Sequence, residues 1–166
     1  LAVITAALFA GVPLHTIAAS LEKLPRIPGR TERIEEGQAF QVVVDYAHTP
    51  DSLSALYEAY PGRKICVLGN TGGGRDTWKR PLMGQIAETA CEEVILTNED
   101  PYDEDPDAIV KAMAEGMKRA PRIIMDRREA IHTALTLARA GDSVLITGKG
   151  TDPYIMLAKG EKLPWS

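Results

Sequence analysis

The stretch Ile65-Cys66-Val67-Leu68-Gly69-Asn70-Thr71-Gly72-Gly73-Gly74-Arg75-Asp76 decides how this chain is read, because an unbroken apolar run passes directly into a glycine-rich turn. A short apolar run without alternation suits a strand buried on both faces. Val42 to Val44, Val94 to Leu96, Ile123 to Met125 and Val144 to Ile146 have the same character. Helical spacing fills the intervals, over Pro50 to Tyr60, Pro81 to Ala90, Pro106 to Arg119 and Arg127 to Ala140. Such alternation predicts an α/β fold, an open and mostly parallel sheet with helices on both faces.

Upstream, Leu1, Ile4, Leu8 and Phe9 share a helical face. Gly11 ends that helix, and Pro13 opens a second one carrying Leu14, Ile17 and Leu21. The two helices lack a partner for their apolar side chains. Pro25, Pro28 and Gly29 break the pattern, which puts a domain boundary near Gly29 and divides the chain into residues 1–28 and 29–166. Glu36-Gly37, between Arg33-Ile34 and Ala39-Phe40, reads as a hairpin leading into the first core strand. Leu1 to Ala10 has the apolarity of a signal-peptide core but no basic stretch before it, and Gly11 and Pro13 interrupt it too early for a bilayer span.

Composition narrows the function. A hydrophobic content of 45% with 25% charged residues is that of an ordinary globular protein. A formal charge of −4 offers no broad basic surface to a phosphate backbone, so neither nucleic acid nor a membrane is expected as a partner. Cys66 and Cys91 have no metal-ligand spacing and read as buried, reduced thiols.

The informative residues all follow strands: Asp45 to Pro50, Gly69 to Arg80, Asn98 to Asp105 and Gly148 to Asp152. In open α/β sheets ligands bind beyond the carboxyl ends of the strands, so these loops should converge on one edge. Gly72-Gly73-Gly74-Arg75 is compatible with either a tight turn or an anion cradle, and the arginine, whose fork suits a carboxylate, favours the cradle. No Walker sequence is present, since Arg75-Asp76 stand where Gly-Lys-Ser/Thr would open the helix. Asp45 and His48 are equally compatible with a nucleotide site and with a helix start capped by Thr49 or Asp51. Glu99, Asp100, Asp103, Glu104 and Asp105 are either a solvated loop or a surface for a cationic group. Gly148-Lys149-Gly150 looks like a Walker fragment without its upstream glycine, and His15 and His132 read as structural. No His/Cys/Asp cluster suggests a metal.

Taken together, Pro28-Gly29-Arg30 with Glu32-Arg33, Asp45-Tyr46-Ala47-His48-Thr49-Pro50-Asp51, Gly73-Gly74-Arg75-Asp76 with Lys79-Arg80-Pro81-Leu82-Met83-Gly84, and Gly148-Lys149-Gly150 resemble the Mur ligase family in order and spacing. Within it the likeness is to the ligases that add the third residue of the peptidoglycan stem. The resemblance implies that residues 1–28 are the tail of a central ATPase domain and that 29–166 form the family's Rossmann-like carboxyl-terminal domain. It implies a cytoplasmic, ATP-dependent ligase acting on UDP-N-acetylmuramyl-dipeptide and a diamino acid through an acyl phosphate. ATP and magnesium are then the cofactors, the metal held mainly by upstream domains, and the chain's own upstream domain is a partner. No catalytic residue is expected in these 166 residues, which alone should have no ligase activity.

By the same resemblance Arg30, Asp45 and His48 belong to the nucleotide site. Arg75 grips the carboxylate of the incoming amino acid, and Asp100, Tyr102, Gly148 and Asp152 meet its far end. Members that select diaminopimelate carry Asn-Pro-Arg where this chain has Asp100-Pro101-Tyr102, and the family's Gly-Lys-Gly-His-Glu appears as Gly148-Lys149-Gly150-Thr151-Asp152. Those departures favour lysine or ornithine over diaminopimelate. A final helix expected after Trp165-Ser166 is missing. Folylpolyglutamate-synthetase-like ligases and a non-catalytic binding module are the alternatives, while a nicotinamide dehydrogenase lacks its dinucleotide fingerprint here.

Overall fold

The computed structural model describes residues 2–24, 27–74 and 76–166. The chain opens with α1 (Ala2–Phe9) and α2 (Leu14–Glu22), separated at Gly11, whose φ of +81° ends the first helix as expected. α1 buries none of its side chains and α2 only Ile17. Of the upstream apolar face, Leu8 and Phe9 are exposed, and Leu1 lies outside the described residues.

Among the described residues eight strands and four further α-helices follow: β1 (Glu32–Ile34), β2 (Gln41–Val44), α3 (Pro50–Ala59), β3 (Lys64–Leu68), α4 (Lys79–Ala90), β4 (Glu93–Leu96), α5 (Pro106–Ala114), β5 (Arg122–Ile123), α6 (Arg127–Leu137), β6 (Ser143–Ile146), β7 (Tyr154–Met156) and β8 (Lys162–Pro164). The main sheet runs β1-β2-β6-β3-β4-β5 and is parallel except for β1. The expected hairpin forms, with Glu32 opposite Val44 and Ile34 opposite Val42.

The continuous apolar runs are explained by burial on two sides. In β3, Cys66 and Leu68 join one core with residues of α3, α4 and α5, while Ile65 and Val67 join the other with Ala130 and Ala134 of α6. Helix starts carry their own chemistry. Thr49 and Ser52 form a reciprocal capping box on α3, and Asp105 caps α5 by accepting from the Asp107 N–H.

Several expectations need correction. α4 begins at Lys79, not Pro81, because a proline within the first turn forfeits an N–H that had no intrahelical acceptor anyway. α5 stops at Ala114, well short of Arg119, where Glu115 and Gly116 close the helix. The fourth core strand, β5, is shorter than its apolar run and begins at Arg122. A hairpin of β7 and β8 follows the last core strand, in a region where no element was expected. Cys66 and Cys91 are not free thiols but a disulfide, joining the middle of β3 to the residue after α4 across a 25-residue separation, with Cα atoms 6.2 Å apart. Both belong to one apolar cluster, a tertiary proximity that their spacing could not show. No described helix is long and apolar enough to cross a membrane.

Candidate functional site

Inserting β6 between β2 and β3 sets the loops after β2, β6, β3 and β4 side by side at the carboxyl edge. They enclose a cleft of about 300 Å³ lined by residues of all four loops, among them Tyr46, His48, Thr71, Glu99, Tyr102 and Gly148. Lys79 enters from the first turn of α4, and Asp76, Asp100 and Asp152 complete its charged lining. His48, Asp100, Tyr102, Gly148 and Asp152 therefore stand together, as the loop argument expected.

The nucleotide-side candidates form a different kind of cluster. The exposed Arg30 guanidinium lies 4.2 Å from the Tyr46 ring centroid, a cation–π contact. His48 packs edge-on against the same ring at 5.1 Å, its Nδ1 2.9 Å from the Tyr46 carbonyl oxygen. Asp45 accepts from the backbone N–H of Ala47 on one oxygen and of Thr31 on the other, at 2.7 and 2.6 Å. It thereby pins the segment after Gly29 to the end of β2. Burial, followed by the Asp152 carboxylate, pushes the Tyr46 phenol up, and Arg30 opposes them.

On the amino-acid side most charges are already engaged. The Lys149 ammonium is 2.8 Å from both oxygens of Asp100 and 3.6 Å from Asp152, so the Walker-like Gly148-Lys149-Gly150 holds a carboxylate of its own chain. Asp100 also accepts from the Met156 N–H, which ties β7 to the site. Arg80 donates to both oxygens of Glu104 at 2.9 and 3.1 Å and to the Asn70 side chain at 3.2 Å. Glu104 in turn accepts from the Gly74 N–H, so the glycine-rich and acidic loops are fastened together. Arg80, and then the Gly74 N–H, hold the Glu104 carboxyl below its ordinary value. Arg75 lies outside the described residues.

Glu99 was noted as one acid among several, and the structure singles it out. It is 3% exposed, accepts from the Thr71 hydroxyl on Oε1, and has no partner for Oε2 among the described residues. It reaches across the end of β3 because Gly69 has no side chain: a Cβ there would stand 2.9 Å from the Glu99 Cβ. On the far side it meets Gly148, with φ +101°, where a Cβ would be 2.0 Å from Oε2. Burial pushes this carboxyl up, with Arg127 the strongest opposing influence. Tyr46, Thr71, Lys79 and Asp76 also line the cleft without having been chosen from the sequence, although each lies in a segment that was. Tyr102, 37% exposed, adopts a left-handed φ of +51° while its N–H donates to the Met156 carbonyl. Among the described residues no group of three or more His, Cys, Asp or Glu side chains could hold a metal ion, so the magnesium implied by the resemblance has no fitting site here.

Known proteins share this architecture and sequence. The model of the "Mur ligase, glutamate ligase domain" matches residues 29–150. A UDP-N-acetylmuramoyl-L-alanyl-D-glutamate–2,6-diaminopimelate ligase of Syntrophomonas wolfei is 44% identical over 93% of this chain and 33% of its own length. A UDP-N-acetylmuramyl-tripeptide synthetase of Roseiflexus sp. is 43% identical over 99% of this chain and 34% of its own. The chain thus spans about a third of the length of these relatives. A solved diaminopimelate ligase superposes with a TM-score of 0.75 at 36% identity, covering 98% of this chain and 34% of that one. FolC of E. coli, solved in complex with ADP, superposes with a TM-score of 0.55 at 21% identity over 74% of this chain and 28% of that one, a likeness of fold alone. With a family model matched over most of its residues and relatives this similar along nearly all of it, the chain belongs to the Mur ligase family.

Proposed function

We propose that this chain is the amino-acid-recognising part of an ATP-dependent ligase that adds a third, diamino acid residue to UDP-N-acetylmuramyl-dipeptide. In that reaction the substrate carboxylate takes the γ-phosphoryl group of ATP, and the incoming amine attacks the acyl phosphate and expels phosphate. The attacking nitrogen has to arrive unprotonated, so a binding edge gains most by gripping the parts of the amino acid that do not react. Residues 1–28 are read as the end of a central domain and 29–166 as the recognition domain. Arg30, Asp45 and His48 are assigned to the nucleotide side, with Asp45 acting through the segment it pins. Arg75 and Lys79 are assigned to the α-carboxylate, and Asp100, Tyr102, Gly148 and Asp152, with Glu99, to the far end.

One observation carries the choice of substrate: Arg80 and Lys149, the cations paired with Glu104 and Asp100 of the acidic loop, are both occupied. Arg80 is held by Glu104 and Lys149 by Asp100, leaving Tyr102 with a neutral hydroxyl where a second carboxylate would need a cation. Lysine or ornithine, whose far end is an ammonium alone, fits that lining. Diaminopimelate is the second reading, supported by the names of the relatives and by Lys79, which lines the same cleft with no ion pair to a described residue. Specificity constants of the complete ligase chain for lysine, ornithine and meso-diaminopimelate, at fixed ATP and dipeptide, separate the two. Preference for lysine or ornithine supports the first reading, and preference for diaminopimelate replaces it with the second.

A further inference from the structure

Arg127 is the first residue of α6, where the helix dipole disfavours a cation, yet it is 3% exposed. A buried arginine in that position needs a compensating role. β3 lies between β4 and β6, and its ladder ends at Leu68 opposite Leu96 and at Val67 opposite Ile146. Thr97 and Thr147 still donate to the Leu68 and Val67 carbonyls, but the chain then leaves β3 through Gly69. The next outward carbonyls, Asn98 and Thr147, have no strand between them. Arg127 takes that place, donating from one terminal nitrogen to the Asn98 carbonyl at 3.3 Å and from the other to the Thr147 carbonyl.

Those two carbonyls immediately precede Glu99 and Gly148, the pair that meets across the cleft floor. The Glu99 and Asp100 carboxylates act on the guanidinium through charge, and the centroid of the Trp165 ring lies 5.9 Å from it. No hydrogen bond joins Arg127 to Glu99, and Nε has no partner among the described residues. We propose that Arg127 is a positioning residue for amino-acid recognition: its fork bridges the ends of β4 and β6 from the back of the sheet and sets the spacing between the Glu99–Tyr102 and Gly148–Asp152 loops. This rests on the reading of the cleft as the amino-acid site. Lysine keeps the charge but cannot bond two separated carbonyls with a rigid planar fork, so Arg127→Lys isolates the geometric role.

In the complete ligase chain, Arg127→Lys should raise the KM for the amino acid by roughly tenfold or more, the scale of one lost charged hydrogen bond, while the KM for ATP moves by less than about twofold. A variant with wild-type KM for the amino acid, or with both constants raised alike, overturns the proposal. Hydrogen exchange on the same protein tests the bridge without reference to activity. Amides of the Glu99–Tyr102 and Gly148–Asp152 loops should lose protection together, and loss in only one loop or in neither overturns it. Should Arg127→Lys fold poorly, the Glu99→Gln/Arg127→Met pair, which removes both buried charges, serves for the exchange measurement with the same outcomes. A wild-type chain with no ligase activity would remove the amino-acid reading while the exchange result still decides whether Arg127 joins the two loops.

Discussion

The helix pair α1–α2 and the carboxyl edge of the sheet depart from ordinary burial in opposite directions. In the first, Val3, Phe9 and Leu14 are exposed at 62% or more, although apolar groups gain most from burial. At the second, Asn70, Glu99, Asp100, Arg127 and Lys149 are buried at 7% exposure or less, although charges are stable in the interior only when paired or hydrogen-bonded. The helix pair therefore contributes little to holding this fold together, which supports the proposal that residues 1–28 are the end of a central domain. The carboxyl edge is coupled to the fold through every charged contact it makes.

The largest effect should come from breaking one of those contacts. Lys149→Met leaves Asp100 buried beside a neutral side chain, which should destabilise the protein by about 3–5 kcal/mol in urea unfolding. The double variant with Asp100→Asn should recover much of the loss, and equal losses in the single and double variants would show that packing, not charge, is at stake.

A smaller effect should appear as a pH dependence. Burial pushes the Glu99 carboxyl up from its ordinary value of 4.5, so the folded protein keeps that proton to a higher pH than the unfolded chain does. Below 4.5 the group is neutral in both states and imposes no penalty. As pH rises from there toward the folded value the unfolded chain ionises first, and stability falls until the folded carboxyl has also ionised. Glu99→Gln should abolish this fall. The difference in urea midpoint between variant and wild type should therefore grow as pH rises from 4.5, and a constant difference would contradict it. Glu104, held low by Arg80, works the other way, stabilising above 4.5 and losing its contribution as pH falls toward its lowered folded value.

The smallest effect belongs to the helix pair. Phe9 is 96% exposed, so Phe9→Ser should change the stability of this chain by less than about 0.5 kcal/mol. A larger loss would mean that α1 packs on the fold after all.

The same contrast explains what could be read from the sequence. β2, β3, β4 and β6 were legible because both of their faces are apolar, whereas β5 is exposed at Arg122 and Ile123 and was marked only by the apolar run that continues to Met125; the glycine and proline punctuation of α1 and α2 was equally plain. Convergence of the loops followed from strand polarity, which brought His48, Asp100, Tyr102, Gly148 and Asp152 to one cleft. Partners were not legible. Nothing local distinguishes Lys149 bound to Asp100 from a lysine free to meet a phosphate, or Cys66 bound to Cys91 from a buried thiol. Arg127 was read only as the first residue of a helix, although a basic residue just after the Asp126 cap was an available warning. The β7–β8 hairpin escaped although Tyr154 to Ala158 is a continuous apolar run, because each strand is only three residues long and β8, Lys162-Leu163-Pro164, has no such run.

The central claim is that the carboxyl edge reads the far end of an incoming diamino acid. It is tested most directly by phosphate release from the complete ligase chain, with ATP and UDP-N-acetylmuramyl-dipeptide fixed and the amino acid varied, in wild type and in Tyr102→Arg. Saturable dependence on lysine or ornithine is expected in the wild type, with a shift of preference toward meso-diaminopimelate in Tyr102→Arg, where the new guanidinium meets the second carboxylate. Phosphate release that depends on no amino acid, or a preference unmoved by the substitution, would contradict it.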